Sequence, residues 1–408
     1  MAIDRTSGYV SLTDLIPVQQ IENSPSSSPD RNQPTSNWHI CGGPQTGPEA
    51  KRSAVLHNLG EIRQHLMTLR AQNWSAEMLE AIFDAALLPI LISAERAHNP
   101  ENTAILIEDG HEDLNTIDTD QTRQALLKIS GSYHYLAADM REVDGHKSII
   151  LFDSLPYHPG RSIYEQSELM HMVAPSLGCK DKMSVFCLGL QKSIYDCQIF
   201  ALNTTTKLAK APDYLDSLHQ AHIREGSEGL AARTGASLIR KEADINVFGT
   251  LPTLPPAFLK HAHTRTVLNP AQLDQQVNKS GQSLQQRQQN KMVERTRIRH
   301  VNGKAELQWL NFSASIEDKR ITYLERMMKY MEDAPPATVE QLATRFDFLS
   351  HNKAISSMSG IQPDKRTIGP AEHVSVRLIP APARPATEHR DLLFSHMQVM
   401  LNQLHHND

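Results

Sequence analysis

The 408-residue sequence predicts an α+β fold, because helical and strand-like patterns occupy separate stretches of the chain. Between residues 54 and 98, leucine and isoleucine recur every three or four positions, which is the period of an amphipathic helix. From residue 103 to 153, short apolar runs of strand length dominate instead. Further helices follow a last strand near residue 183, so helices flank the predicted sheet on both sides in the sequence.

The N-terminal pattern predicts two helices. Leu56, Leu59 and Ile62 begin the first apolar stripe, and Ser75 is a suitable N-cap for the second helix. Pro89 should kink or restart that second helix, because proline removes a backbone donor.

The next part of the chain predicts a sheet with interspersed helices. We expect strands over residues 104–107, 133–140, 147–152 and 183–188, with a turn at Asp144-Gly145. We expect helices over residues 123–128, 164–174, 197–208 and 214–223.

The C-terminal third is less regular. The glutamine-rich segment 269–290 predicts a mobile loop or a weakly anchored helix. Amphipathic patterns predict helices over residues 320–331, 339–349 and 392–404, with a proline-rich linker around 379–385. Residues 1–50 are rich in Ser, Pro, Asn and Gln, so they should be disordered, because such a segment buries little apolar surface.

Composition excludes several classes of function. The formal net charge of −5 does not suggest a nucleic-acid partner, and no apolar run is long enough for a transmembrane helix. The four cysteines, at positions 41, 179, 187 and 197, show no zinc-ligand spacing and suit a reducing compartment. The pairs His219/His222 and His261/His263 lack a third convergent ligand, so we expect no metal site.

Three residues of different chemical types predict a nucleophilic site. Cys197 opens a predicted helix, where the helix dipole favours a thiolate. His134 and Asp153, which ends the run Ser148-Ile-Ile-Leu-Phe-Asp153, supply a base and a carboxylate to orient it. Taken singly, Cys197 could be a buried structural thiol and Asp153 a turn residue. Gln191, six positions before Cys197, could be a surface glutamine.

These residues together resemble the YopJ family of type III secreted effectors, which are acetyltransferases built on a clan CE cysteine-protease-like fold. The order His, Asp, Cys and the intervals of 19 and 44 positions match the family spacing. Gln191 stands where the family has an oxyanion-hole glutamine. Leu254-Pro-Pro-Ala-Phe-Leu-Lys260-His261 is similar to the family's Leu-Pro-Val-Thr-Phe-Tyr-Lys-His. The resemblance covers roughly residues 55–330.

The resemblance implies a function as well as a fold. It implies acetyl transfer from acetyl-CoA through Cys197 to Ser, Thr or Lys of host signalling or immune proteins, after secretion through a type III system into the host cell. It also implies activation by inositol hexakisphosphate, held in a basic pocket that we assign to Lys260, His261 and Arg265. Other basic residues near that region or in the N-terminal helices are Arg63, Arg70, Arg96, Lys291, Arg295, Arg297, Arg299 and Lys304. Charge runs of this kind also occur as plain solvated faces.

The resemblance further implies a domain layout. Residues 1–50 would be an export region, compatible with an export chaperone, and residues 101–225 the catalytic core. Residues 51–100 would form a regulatory domain with 226–330, within a regulatory region of 226–334. Residues 335–408, where the resemblance fades, would be a helical appendage.

One position departs from the family pattern and keeps two alternatives open. The family has glycine after the nucleophile, whereas this chain has Gln198. A side chain there narrows the approach to Cys197, so an inactive effector that acts by binding host proteins is one alternative. The other is a cysteine protease of ubiquitin-like conjugates, because the same triad hydrolyses isopeptides.

Overall fold

The structure is a computed structural model, and it describes residues 47–71, 77–108, 123–129, 134–157, 182–193, 195–242, 245–301 and 304–351. Several predictions fall outside these residues. They are the Ser75 cap, the helices over 164–174 and 392–404, the proline-rich linker and nearly all of the N-terminal export region.

A seven-stranded mixed sheet forms the centre of the fold, in the order β1-β2-β3-β4-β5-β7-β6. Its strands are β1 (Ile105–Ile107), β2 (Gln124–Lys128), β3 (Tyr135–Val143), β4 (His146–Asp153), β5 (Lys182–Cys187), β6 (Leu238–Glu242) and β7 (Ile245–Phe248). The pairs β2–β3, β3–β4 and β6–β7 are antiparallel, and the other neighbours are parallel. The sheet is therefore mixed, with an antiparallel β2–β3–β4 meander at one side of β5.

The β3–β4 hairpin sets the separation of His134 and Asp153. Asp144 and Gly145 both have positive φ, at 54° and 75°, which is the backbone of a type I′ turn. The turn fixes the register Ala137↔Phe152. The predicted turn is confirmed, and it brings the start of β3 beside the end of β4.

Three phenylalanines stack across neighbouring strands beneath the end of β4. The rings of Phe152 and Phe186 have centroids 6.0 Å apart, and those of Phe186 and Phe248 are 4.9 Å apart. These residues are register partners in β4, β5 and β7, and all three are buried. Their packing holds the strand that ends at Asp153 in place.

Helices cover the face of the sheet that carries these rings. They are α3 (Cys197–Leu208), which packs on β2 and β3, and α4 (Pro212–Arg224), which packs on β3 and β4. The opposite face is an apolar layer that includes Ala138, Ile149, Leu151 and Val185. α5 (Gly226–Thr234) follows α4 and packs against it.

Three further helices pack together beside α3. They are α1 (Pro48–Ala71), α2 (Glu77–His98) and α8 (Ser315–Asp333). α8 contacts both α1 and α2, and α2 contacts α3. Segments from the two ends of the described chain thus meet next to the predicted nucleophile helix.

The remaining elements are short or lie toward the C-terminus. They are α6 (Pro256–Leu259), a 3₁₀ turn (Pro270–Gln272), α7 (Leu284–Gln289), the paired strands β8 (Met292–Val301) and β9 (Lys304–Ser313), and α9 (Pro336–His351). The chain divides into two compact units. Residues 43–295 and 310–346 belong to the unit with the seven-stranded sheet, and the other unit includes residues 296–309 of the β8–β9 hairpin.

The predicted helix over residues 123–128 is wrong, because these residues form strand β2. Gln-Ala-Leu-Leu-Lys has good helix formers, but all five residues are buried between β1 and β3. A strand covered on both faces has no polar alternation to reveal it, and tertiary pairing overrides local propensity.

Two other expectations change as well. α2 continues through Pro89 without restarting. The glutamine-rich segment is anchored rather than mobile, because the buried Gln288 amide donates to Ala262 O at 2.9 Å and Ser283 caps α7 in a capping box. Across the described parts of the chain, no helix combines the length and apolarity that a membrane crossing needs.

Candidate active site

Cys197 is the first residue of α3, and α3 is buried along almost its whole length. The sequence Cys-Gln-Ile-Phe-Ala-Leu packs into the core, and the Cys197 residue itself is only 3% exposed. The Phe200 N–H donates to Asp196 O at 2.9 Å, which closes the first turn. The fold therefore fixes the sulfur at the N-terminus of a buried helix.

His134 and Asp153 form a buried pair. His134 Nε2 lies 2.9 Å from Asp153 Oδ1, and the Leu155 N–H donates to the same oxygen at 2.8 Å. The Ile129 N–H donates to His134 O at 2.9 Å and ties the histidine to the end of β2. With Nε2 taken by the carboxylate, Nδ1 is left for the hydrogen bond that His134 makes with Cys197.

The charge state of His134 follows from these partners. Burial alone lowers the pKa of His134, but the Asp153 carboxylate and the Cys197 sulfur together outweigh it and hold the pKa well above its usual 6.5. The imidazolium form is therefore favoured between the carboxylate and the sulfur. This is the electrostatic arrangement of an activated cysteine nucleophile.

Gln198 contacts the Cys197 sulfur directly. The Cys197 thiol donates to Gln198 Oε1 at 3.3 Å, and Gln198 is buried. The side chain that replaces the family's glycine is thus in contact with the sulfur. It occupies volume that a glycine would leave open.

Gln191 lies in the loop that leads from β5 to Cys197. Its Oε1 accepts from Ser154 Oγ at 2.6 Å, and its Nε2 donates to Ser193 O at 2.6 Å. Its backbone N–H donates to Ser154 O at 2.8 Å. The glutamine therefore joins the nucleophile loop to the residue that follows Asp153.

His263 holds the same loop and was not identified from the sequence as part of the site. Its ring Nδ1 accepts from the backbone N–H of Lys192 at 3.0 Å, and its backbone N–H donates to Leu190 O at 2.7 Å. Its ring packs edge-on against Phe200 in α3, with centroids 5.1 Å apart. In the sequence, His263 stood out only as a member of the pair His261/His263, which was considered for metal binding. Among the described residues, no group of His, Cys, Asp or Glu is arranged to hold a metal ion.

A second cluster consists of basic side chains from several elements. Electrostatic repulsion couples the members, which are Lys207, Lys210, Lys260, His261, Arg287, Lys319 and Arg326. Burial, with Arg326 and Lys260 adding to it and Glu95 opposing it, lowers the pKa of Lys319 to about 8. Burial beside Lys260 and Lys319 holds the pKa of Lys207 well below its usual value. Cations so placed repel one another, and an anion bound among them would relieve that repulsion.

His261 lies within this basic cluster. Its Nδ1 contacts Ser315 Oγ at 2.9 Å, and Arg287 donates to the same hydroxyl at 3.3 Å. His261 is buried, and its Nε2 has no hydrogen-bond partner within the described parts of the chain. A buried nitrogen without a partner is costly unless a ligand or water completes it.

The predicted pocket residues separate into two groups. Lys260 and His261 belong to the basic cluster, whereas Arg265 is exposed. Arg63 and Arg70 are engaged elsewhere, by Glu325 at 2.6 Å and by Asp318 at 2.9 Å. Lys207 and Lys319 were missed, because single lysines in amphipathic helices carry no sequence signal.

The chain matches a known protein family over most of its length. The family model described as YopJ serine/threonine acetyltransferase matches residues 55–326, about two thirds of the chain. A comparison with curated proteins finds no match.

Two solved structures are similar over most of their length. A deletion variant of AvrA with IP6 and CoA is 22% identical, with 67% of this chain and 98% of that chain covered and a TM-score of 0.50. HopZ1a in complex with IP6 and CoA is 18% identical, with 68% and 98% covered and a TM-score of 0.52. These likenesses show a shared fold, and the predicted fold class is confirmed. On the strength of the family model, which spans the helices α1 and α2, the sheet and the Cys197 helix, the chain belongs to the YopJ family of serine/threonine acetyltransferases.

Proposed function

We propose that this acetyltransferase carries the acetyl group on Cys197 and passes it to a Ser or Thr hydroxyl, or a Lys amine, of a host protein. The observation that carries this proposal is the buried contact of His134 Nε2 with Asp153 Oδ1 at 2.9 Å, together with the hydrogen bond of His134 to Cys197. A base, an orienting carboxylate and a sulfur are the parts that covalent acyl transfer requires.

The first half-reaction forms an acetyl-cysteine. The Cys197 thiolate attacks the thioester carbonyl of acetyl-CoA, and a carbon–sulfur bond to Cys197 forms. The carbon–sulfur bond to coenzyme A then breaks, and the departing thiolate takes the proton from the His134 imidazolium. His134 is suited to this step because its raised pKa keeps it protonated beside the thiolate.

The second half-reaction releases the acetyl group to the acceptor. Acetylation removes the negative charge from Cys197, so one of the two groups that raise the pKa of His134 is lost. His134 can then accept the proton of the acceptor hydroxyl as the oxygen attacks. Collapse of the tetrahedral intermediate breaks the bond to Cys197 and restores the thiolate.

The oxyanion of both intermediates needs hydrogen-bond donors. We assign this role to Gln191 and the Cys197 backbone N–H. Gln191 Nε2 has two protons and uses one on Ser193 O. Its hydrogen bonds to Ser154 and Ser193 limit its movement, which is the preorganisation that such donors require.

The basic cluster fits a ligand with several phosphates. Lys207, Lys260, Arg287 and Lys319 supply converging cations, and His261 Nε2 is a buried nitrogen without a partner among the described residues. We propose that these five residues hold inositol hexakisphosphate, the IP6 of the AvrA and HopZ1a complexes. The bound ligand would supply negative charge that stabilises the packing of α3, α6, α7 and α8.

The biological setting is proposed from the family. Its members are effectors, so we propose secretion through a type III system and action on host signalling or immune proteins. Residues 1–50 would serve as the export region and accept an export chaperone. Residues 51–100 and 226–334 would form the regulatory region around a core of residues 101–225, and residues 335–408 the appendage.

A direct assay tests the proposed chemistry. The full chain is incubated with labelled acetyl-CoA and host lysate, with and without inositol hexakisphosphate. The expected result is label on lysate proteins with wild type, more label with the ligand, and a loss of at least about a hundredfold in His134→Gln. Label released only as free acetate would favour a hydrolase, and no label with either condition would favour an inactive binder.

A further inference from the structure

Arg320 on α8 contacts carboxylates from two other parts of the fold. Its Nε and Nη2 donate to Asp84 at 3.0 and 2.9 Å, and its Nη1 donates to Glu80 Oε2 at 2.9 Å. Its Nη2 also donates to Asp196 Oδ1 at 2.5 Å. Glu80 and Asp84 lie on α2, whereas Asp196 immediately precedes the nucleophile. One guanidinium thus joins α2, α8 and the start of α3.

The network is buried, so its geometry is tightly constrained. Arg320 is 3% exposed and its three acidic partners are between 3% and 7% exposed. Three carboxylates surround one cation, which leaves an excess of negative charge. Burial raises the pKa of Asp84 to about 7, and the neighbouring Asp196 and Glu80 carboxylates add to this rise. The planar guanidinium of arginine holds its donors in fixed directions toward the three carboxylates, and the ammonium of lysine does not reproduce those directions.

Asp196 connects this network to the loop between β5 and α3. Besides Arg320, it accepts a hydrogen bond from Ser193 Oγ, and it lies 3.8 Å from His263 Nε2. Ser193 O in turn accepts from the Gln191 amide. The position of the Asp196 carboxylate therefore affects both the sulfur that follows it and the glutamine assigned to the oxyanion.

The neighbour of Arg320 in sequence belongs to the basic cluster. The Lys319 Nζ lies 4.0 Å from the Tyr323 ring centroid and is coupled electrostatically to Lys260. Because Lys319 and Arg320 are consecutive in one helix, a movement of α8 toward an anion would displace both side chains.

We propose that Arg320 is a positioning residue that holds Asp196, and with it Cys197 and Gln191, in the reactive arrangement. We further propose that it transmits the presence of an anion in the basic cluster to the nucleophile. The second part rests on the proposed function, because it requires the polyphosphate to bind there. Contiguous buried ion pairs between rigid helices are a physical route for such coupling.

The test measures the reactivity of Cys197 and the binding of ligand to the basic cluster separately. Alkylation of Cys197 by iodoacetamide is followed by mass spectrometry of the peptide that contains it, so acetyl transfer is not needed. Thermal melting with inositol hexakisphosphate reports binding. The variant is Arg320→Lys, and the matched control is Arg63→Lys, which alters the Arg63–Glu325 pair between α1 and α8 without touching Asp196.

The expected result is a separation of the two readouts. Without ligand, Arg320→Lys should alkylate at least about threefold more slowly than wild type, while Arg63→Lys matches wild type. With ligand, alkylation of wild type should rise at least about fivefold, and that rise should disappear in Arg320→Lys although its melting shift persists. A residue with a merely structural role would lower the melting temperature without changing the alkylation of the folded protein.

Other outcomes decide against the inference in different ways. Equal alkylation of wild type and Arg320→Lys, with and without ligand, would overturn both parts. No melting shift in wild type would overturn the activator proposal and the transmission with it, whereas slower ligand-free alkylation in Arg320→Lys would still support positioning. If Arg320→Lys does not fold, Asp196→Asn makes the same test, since it keeps the size of the side chain and the contacts of Arg320 on α2.

Discussion

At the scale of single residues, the Cys197 thiol carries one proton, and two neighbouring side chains can accept it. His134 must take the proton for the sulfur to attack, whereas Gln198 Oε1 accepts it at 3.3 Å. Gln198 is therefore expected to restrain the nucleophile rather than to assist it.

Replacing Gln198 by glycine should retain acetyl transfer or raise it by up to about fivefold, because a hydrogen bond to the thiol contributes about 1 kcal/mol. Glycine near a helix N-terminus also loosens the backbone, so Gln198→Ala serves as the matched variant that removes the amide alone. Initial rates with saturating acetyl-CoA make the measurement. A large loss in both variants would show that the Gln198 amide assists the reaction.

The residues that carry the chemistry differ in how well sequence predicts them. His134, Asp153, Cys197 and Gln191 were identified because their types and intervals match a family. Their assigned roles stay predictions until they are tested. His263 and Arg320 could not be identified in this way, because each acts through contacts with residues far away in the chain.

At the scale of elements, α4 is attached to the sheet by a buried polar network. His219 Nε2 contacts Asp139 at 2.9 Å, and His219 Nδ1 contacts Ser148 Oγ at 2.7 Å. His222 contacts both Ser148 and Ser184 at 2.8 Å. The pair His219/His222, which was considered for metal binding, thus attaches α4 to the sheet. Burial lowers the pKa of both side chains, so the fold favours the neutral form of each.

His222 should make the protein sensitive to acid. Burial, aided by His219 and Lys182, lowers the pKa of His222 to about 3, so the unfolded chain binds its proton near pH 6.5 while the folded chain does not. The stabilising contribution is therefore complete above pH 6.5 and is lost as the pH falls. Between pH 6.5 and 5, this residue alone should lower the free energy of unfolding by about 2 kcal/mol.

Urea unfolding of wild type and His222→Gln at both pH values measures this effect. Glutamine keeps hydrogen-bonding capacity but does not titrate, so the pH dependence should become shallower by about 2 kcal/mol. His57→Gln, at an exposed position of α1, is the control and should retain the wild-type dependence. An unchanged slope in His222→Gln would contradict the assignment.

The elements were predictable to different extents for physical reasons. α3 and β4 have clear patterns, because each joins an apolar run to a distinct polar end. β2 was mistaken for a helix since it is buried on both faces and composed of helix formers. The anchoring of residues 269–290 depends on glutamine amides that bind distant carbonyls, and composition does not reveal such bonds.

At the scale of the whole molecule, a bound polyphosphate should stabilise the fold by bringing together cations that otherwise repel. At a hundredfold excess over Kd, the stabilisation should be about 2.7 kcal/mol. For a chain of 408 residues, this corresponds to a rise in Tm of roughly 3 °C. The double variant Lys260→Gln/His261→Gln should lose most of this shift.

Two further variants locate the site. Lys279→Glu changes an exposed lysine of the same region and should keep the shift. Arg265→Glu tests whether the exposed Arg265 contributes to polyphosphate binding, as its position in the sequence suggests. A shift that survives in the double variant would place the ligand elsewhere, and no shift in wild type would remove the activator from the proposed function.

The most direct test of the central claim is capture of the acetyl-enzyme. The full chain is incubated with acetyl-CoA and inositol hexakisphosphate in the absence of an acceptor, quenched in acid and mapped by mass spectrometry. We predict one acetyl group on the peptide that contains Cys197, and none there in Cys197→Ala, whose circular dichroism should match wild type. Acetyl transfer to host protein that persists in folded Cys197→Ala would contradict the claim that this sulfur carries the acetyl group.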